Sequence, residues 1–194
     1  MSLEDAAEAV RSCTRCALCE TRTNAVPGLG AGSSGVVFVG EAPGRSEDLR
    51  GRPFVGQAGR ILTEALRAAG VSRDDVYITN TVKCRPPNNR VPRQSERDAC
   101  RAHLEAEIRI LRPLVVCVMG NTAFGSLLGG AGITERRGSM VRRDGMLYYP
   151  TVHPAAVIYN PSLAGVLEGD IRRLFGVVER IRAGEMVDAP EYTP

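Results

Sequence analysis

Three uninterrupted apolar runs constrain this chain more than any other feature: VVFVG at 36–40, VYIT at 76–79 and LVVCVMG at 114–120. Successive residues of a strand point to opposite faces, so a run that is apolar throughout must be buried on both. That is the habit of a parallel sheet covered by helices. The segments between the runs agree. Residues 3–11 read as a short helix and 12–35 as a loop. Residues 41–57 form a Gly/Pro-rich loop, and 58–70 a helix stopped by Gly70. After a second loop (80–94), Ser95 reads as the N-cap of a helix to about Leu111, with Pro113 just beyond. A short helix near 121–128 follows, then a hairpin over 138–150 turning at Asp144-Gly145. TVHP (151–154) comes next, and a last helix covers about 163–183. The tail, about 184–194, is polar and expected to be flexible. The pattern predicts a three-layer αβα sandwich with a mostly parallel central sheet. One domain is expected over 1–194, with a cysteine-bearing N-terminal segment of about 1–35.

In such sheets ligands bind beyond the carboxyl ends of the strands. Three segments rich in small and polar residues fall there: GEAPG (40–44), TNTVKC (79–84) and HPAA (153–156). One pocket at the strand tips would gather all three.

The cysteines stand at 13, 16, 19, 84, 100 and 117. The N-terminus lacks the basic-then-apolar pattern of a secretory signal, so a disulfide scaffold is not expected and a metal site is the alternative. Cys13 and Cys16, with Cys84 and Cys100, offer four soft ligands. Such a set suits zinc or an iron–sulfur cluster, and spacing does not separate the two. Cys19 reads as a spare or alternative ligand, and Cys117, inside an apolar run, as core.

The formal charge of +3 permits a polyanionic partner without requiring one. Residues 83–101 hold Lys83, Arg85, Arg90, Arg93, Arg97 and Arg101 against Glu96 and Asp98, a basic segment between two of the candidate ligands. Lys83 is the only lysine. No run is long and apolar enough for a membrane span.

Taken together, CTRC (13–16), GEAPG (40–44), GRPFVG (51–56), YITNTVKCRPPNNR (77–90), Cys100 and HPAA (153–156) closely resemble the family 4 uracil-DNA glycosylases, the iron–sulfur branch of the uracil-DNA glycosylase superfamily. The likeness covers roughly 12–182, with the motifs in the family's order. It implies a uracil-DNA glycosylase-like fold and a [4Fe–4S] cluster on Cys13, Cys16, Cys84 and Cys100. It implies a uracil pocket built from Gly40, Ala42, Gly44, Phe54, Asn80 and His153. The expected activity is hydrolysis of the N-glycosidic bond of flipped-out deoxyuridine, leaving an abasic site, in base excision repair. The expected partner is uracil-containing DNA, single- or double-stranded. A cytoplasmic monomer is expected.

The residues suit those roles. Excision requires the base out of the stack. Phe54 would stack on it, Asn80 would accept from N3–H and donate to O4, and His153 would donate to O2 as negative charge develops there. Other branches of the superfamily carry an aspartate at the slot held here by Ala42. Glu41 is therefore the candidate for acting on water or on the sugar cation, with a pocket-organising role as its alternative. Glu47 and Asp48 read as ordinary loop acids, with a place at the pocket rim as the alternative for either. A Schiff-base lyase step needs an amine, and with one lysine a monofunctional, water-using mechanism is expected. A related branch uses a histidine in the basic loop for a covalent link to DNA; residues 85–95 hold none, so trapping is not expected. Arg85, Arg90 and Arg93 are candidate phosphate contacts, and Val157, Ile158, Tyr159 or Leu163 would fill the gap left by the flipped base. Two other readings stay open: a non-catalytic cluster-bearing DNA-binding module, and a zinc-stabilised enzyme on another substrate.

Overall fold

The apolar runs become strands covered on both faces. In the computed structural model, which describes residues 1–194, β1 (Val36–Gly40), β2 (Tyr77–Asn80), β3 (Val115–Met119), β4 (Val141–Arg143) and β5 (Met146–Thr151) form one sheet, ordered β2-β1-β3-β5-β4. Four strands are parallel, and β4 lies antiparallel at the edge. The helices are α1 (Leu3–Arg11), α2 (Leu18–Thr21), α3 (Arg45–Arg50), α4 (Gln57–Ala68), α5 (Gln94–Leu111), α6 (Asn121–Leu127), α7 (Ile133–Arg136), α8 (Pro154–Tyr159) and α9 (Leu163–Arg182). The expected three-layer sandwich is what forms.

Strand β1 shows why its sequence has no polar position. Val36 and Phe38 pack with Leu62 and Leu66 of α4 and with Leu167, Ile171 and Leu174 of α9. Val37 and Val39 pack on the other side with Leu104 of α5, Phe124 of α6 and Ile133 of α7. Each such fully buried side chain contributes roughly 1.5–3 kcal/mol of transfer free energy. A smaller cluster joins Val10, Leu18, Ala25 and Val82 to Cys84 and Cys100, fixing the N-terminal segment against the body. No helix is long and apolar enough to cross a membrane.

The structure differs from the sequence reading in several places, among them α2, inside the segment read as loop (12–35), and α7, which was not expected. Residues 45–50, read as loop, are helical: Glu47 reaches back to the Gly44 N–H, and Gly51 ends the helix at φ 65°. Helix α5 begins at Gln94 and not after Ser95, because Glu96 accepts from the Arg93 N–H and takes the capping role. HPAA, to which the sequence reading gave no conformation, opens a helix: His153 caps α8, and Pro154 sits at its first position, where a missing N–H costs nothing. The tail, expected to be loose, runs back along β4: the Arg142 N–H donates to the Pro190 carbonyl and the Tyr192 N–H to the Arg142 carbonyl. The Tyr192 ring meets Phe124 edge-on at 5.5 Å, and its hydroxyl donates to the Gly129 carbonyl. The hairpin turns at Asp144-Gly145 as expected, both at positive φ.

Tyr192→Ala is expected to lower stability by about 1–2 kcal/mol, from a lost aromatic pair and partial burial. Urea denaturation measures it; an unchanged midpoint would mean that the tail contributes nothing to folding.

Candidate active site

The order β2-β1-β3 means that the chain leaves β1 to one side and returns to β3 on the other. The carboxyl ends of the strands diverge at that switch, as ligand-binding α/β sheets do. Here the tips open into one pocket of about 610 Å³. Glu41, Ala42 and Gly44 enter it from the end of β1, Asn80 from β2 and His153 from β5, with Phe54 from the loop before α4. The three segments singled out in the sequence are thus gathered. A fourth, Gly120–Thr122 at the tip of β3, was missed, although the strand-tip argument applies to it equally.

Gly40 lies behind the pocket wall. A Cβ there would stand 2.6 Å from Asn80 Oδ1 and 2.6 Å from the Phe54 ring, so glycine lets those two groups approach. Phe54 is buried in the core and lines the pocket as well. Its φ of 50° is strained for a bulky residue, at roughly 1–3 kcal/mol, and persists only because its surroundings impose it. Arg73 donates to the carbonyls of Pro53 and Phe54 at 2.9 and 2.8 Å. Glu47 Oε1 accepts from the N–H groups of Val55 and Gly56, and Oε2 from that of Gly44, at 2.8, 2.7 and 3.1 Å. Glu47 therefore ties the GEAPG turn to the Phe54 loop. Asp48 likewise accepts from the N–H groups of Thr23 and Asn24. Neither is the ordinary loop acid expected; nothing in local sequence marks an acid whose partners are backbone amides of other segments.

His153 Nδ1 accepts from the Ala155 N–H at 3.1 Å. In the neutral ring the proton is therefore on Nε2, which makes no hydrogen bond within the protein. Burial pushes the imidazole down to about 4, so it is neutral at physiological pH. The Phe54 ring lies 5.7 Å away, centroid to centroid. Glu41 Oε2 accepts from the Thr122 hydroxyl. Of the two carboxylates lining the pocket, Glu47 is fully engaged by backbone amides, whereas Glu41 keeps one oxygen free.

Asn80 is 1% exposed, and its Oδ1 is buried without a partner, a costly arrangement unless a ligand donor meets it. Its carbonyl accepts from Lys83 Nζ at 3.0 Å. Lys83 is itself buried, ion-paired to Glu107 at 2.6 Å. The other Glu107 oxygen accepts from the Gly28 N–H at 2.9 Å. Lys83 must accordingly be removed from the basic surface counted from the sequence: its charge is internal.

Cys13, Cys16, Cys84 and Cys100 line one small cavity, with Cys19, Arg22 and His103. Arg22 donates to Cys84 Sγ at 3.0 Å, and the Lys83 backbone N–H to Cys100 Sγ at 3.2 Å. Burial pushes the Cys100 thiol up to about 12. His103 is buried and its Nε2 has no partner. No three Cys, His, Asp or Glu side chains are grouped closely enough to hold a single metal ion. Cys117 is core, as expected.

Of the three candidate phosphate contacts, Arg90 is held by both oxygens of Glu96 at 2.8 and 2.6 Å and lines the pocket. Arg85 bonds Asn89 and no carboxylate, and Arg93 is exposed. Among the four candidates after HPAA, Val157 and Leu163 pack on the core, while Tyr159 is 89% exposed at the pocket mouth.

Glu107→Ala would leave the Lys83 ammonium buried and unpaired, at an expected cost of about 3–5 kcal/mol in chemical denaturation. A loss under about 1 kcal/mol would show that the pair is not an anchor.

The family model described as "Uracil DNA glycosylase superfamily" matches residues 27–171. A type-4 uracil-DNA glycosylase of Sulfurisphaera tokodaii is 43% identical over 183 residues, covering 89% of this chain and 83% of its own. A type-4 uracil-DNA glycosylase of Thermotoga maritima is 47% identical over 163 residues, covering 82% and 85%. A type-5 uracil-DNA glycosylase of Pyrobaculum aerophilum is 35% identical over 153 residues, covering 70% and 67%. With motif order, fold and strand-tip pocket in agreement, the chain belongs to the uracil-DNA glycosylase superfamily and, within it, to the type-4 uracil-DNA glycosylases.

Proposed function

We propose that this chain is a monofunctional uracil-DNA glycosylase that hydrolyses the N-glycosidic bond of flipped-out deoxyuridine, acting as a cytoplasmic monomer on single- or double-stranded DNA in base excision repair. The observation that carries this reading is the buried, unpartnered Oδ1 of Asn80, in one pocket with Phe54 and a neutral His153. Oδ1 accepts from uracil N3–H, the amide nitrogen donates to O4, and the Phe54 ring covers one face of the base. As the glycosidic bond breaks, its electron pair goes to the leaving uracil. His153 Nε2–H meets the charge that develops on O2, a kind of stabilisation typically worth about 10²–10³-fold in rate. Water adds to the sugar cation at C1′. Glu41, with one oxygen uncommitted, is the group that stabilises that cation or takes the water's proton. Lys83 is buried in its ion pair, which supports the absence of a lyase step.

We read the cysteine cavity as the site of a [4Fe–4S] cluster on Cys13, Cys16, Cys84 and Cys100, with Cys19 as a spare thiol beside it. Two observations support the fit. His103 Nε2 is an orphan at that cavity, and four thiols from three separate segments line it. The cluster would cross-link the N-terminal segment, the β2 loop and α5, making the 85–93 loop a rigid edge. Arg85 and Arg93 are the groups there left for phosphates, and Tyr159 is the candidate to fill the stack.

The reading is tested with a labelled oligonucleotide carrying one uracil, beside a cytosine control, with alkali to reveal abasic sites. Cleavage at uracil alone is expected; none, from folded and iron-loaded protein, would leave a DNA-binding module instead. His153→Ala is expected to slow single-turnover excision by about 10²–10³-fold; a full rate would exclude the role. A neutral donor needs no protonation, so His153 puts no step in the rate near pH 6.5, where a free imidazole titrates. His153 stays neutral as pH falls until about 4 is approached. A step near 6.5 that His153→Ala abolishes would rule the neutral donor out.

A further inference from the structure

We propose that His103 donates a hydrogen bond from Nε2 to the sulfurs of the group held by the four cysteines, and so tunes its reduction potential. The inference rests on the iron–sulfur reading of that cavity. Four observations lead to it.

His103 is only 7% exposed, and its Nε2 has no partner. A buried polar nitrogen without a partner is uncommon, and each instance calls for a specific explanation. The residue lines the cavity shared by Cys13, Cys16, Cys84 and Cys100. On α5 it follows Cys100 by three positions, so both project from the same helix face. Finally, the sulfurs already receive donors: Arg22 reaches Cys84, and the Lys83 N–H reaches Cys100. Thiolates and sulfides accept hydrogen bonds and donate none, so toward them Nε2 is the donor. The mechanism of excision makes no use of His103.

Hydrogen bonds to cluster sulfurs are among the determinants of cluster potential. Each donor favours the state with more negative charge on sulfur, which is the reduced one. Removing the donor therefore makes reduction harder.

The test compares wild type, His103→Leu and His103→Gln, purified anaerobically, for iron and sulfide content and for midpoint potential by protein-film voltammetry. His103→Leu is expected to lower the potential. His103→Gln, which keeps an N–H, is expected to fall between it and wild type. Equal potentials in wild type and His103→Leu, at equal iron content, would overturn the proposal. If His103→Leu does not load iron, wild type labelled with ¹⁵N-histidine decides. The chain has only two histidines, so the label reports on His103 and His153 alone. A weak nitrogen hyperfine coupling in the paramagnetic cluster, kept in His153→Ala, would support the hydrogen bond, and no such coupling would refute it. Wild type without iron or sulfide would sink the cluster reading itself, a failure visible before any potential is measured.

Discussion

The buried pair of Lys83 and Glu107 is the interaction on which the two halves of this molecule depend. Each charge would be intolerable in the core alone, and together they satisfy the Gly28 N–H, the Thr79 hydroxyl and the Asn80 backbone carbonyl. Through its side chain Lys83 holds the Asn80 carbonyl, and through its backbone N–H it reaches Cys100 Sγ. The cysteine cavity and the strand-tip pocket are thus joined through one residue. A displacement of the cysteine loop would be felt at the tip of β2.

The pocket is built by a second layer of the same kind. Glu47 and Arg73 hold the backbone on which Phe54 is mounted. Gly40 contributes by what it lacks, since any side chain would separate Asn80 from Phe54. His153 contributes a proton whose position is settled by a backbone amide two residues on.

The division between lining and supporting residues explains what was legible in the sequence. Apolar runs and strand-tip motifs depend on local pattern, and they led to the sheet and the pocket, while the individual residues Phe54, Asn80 and His153 came from the family resemblance. The supporting contacts depend on distance in sequence. Glu107 meets Gly28, and Arg73 meets Phe54, across spans that no periodicity reports. Ser95 looked like a cap by residue type, yet Glu96 does the work because its longer side chain reaches the Arg93 N–H. Lys83 counted as surface charge because nothing nearby shows that its partner lies 24 residues away, on α5. The tip of β3 was available to the same reasoning and was overlooked.

The left-handed backbone at Phe54 has a consequence for how sequences at this position can vary. Glycine would suit the dihedral and relax the loop, yet it would remove the ring from the pocket. It would also empty a place in the core, at about 3–5 kcal/mol against the roughly 1–3 kcal/mol of strain relieved, so packing and pocket together hold the ring in its strained conformation. Selection for a hardier fold and selection for an intact pocket should therefore both keep an aromatic ring at position 54.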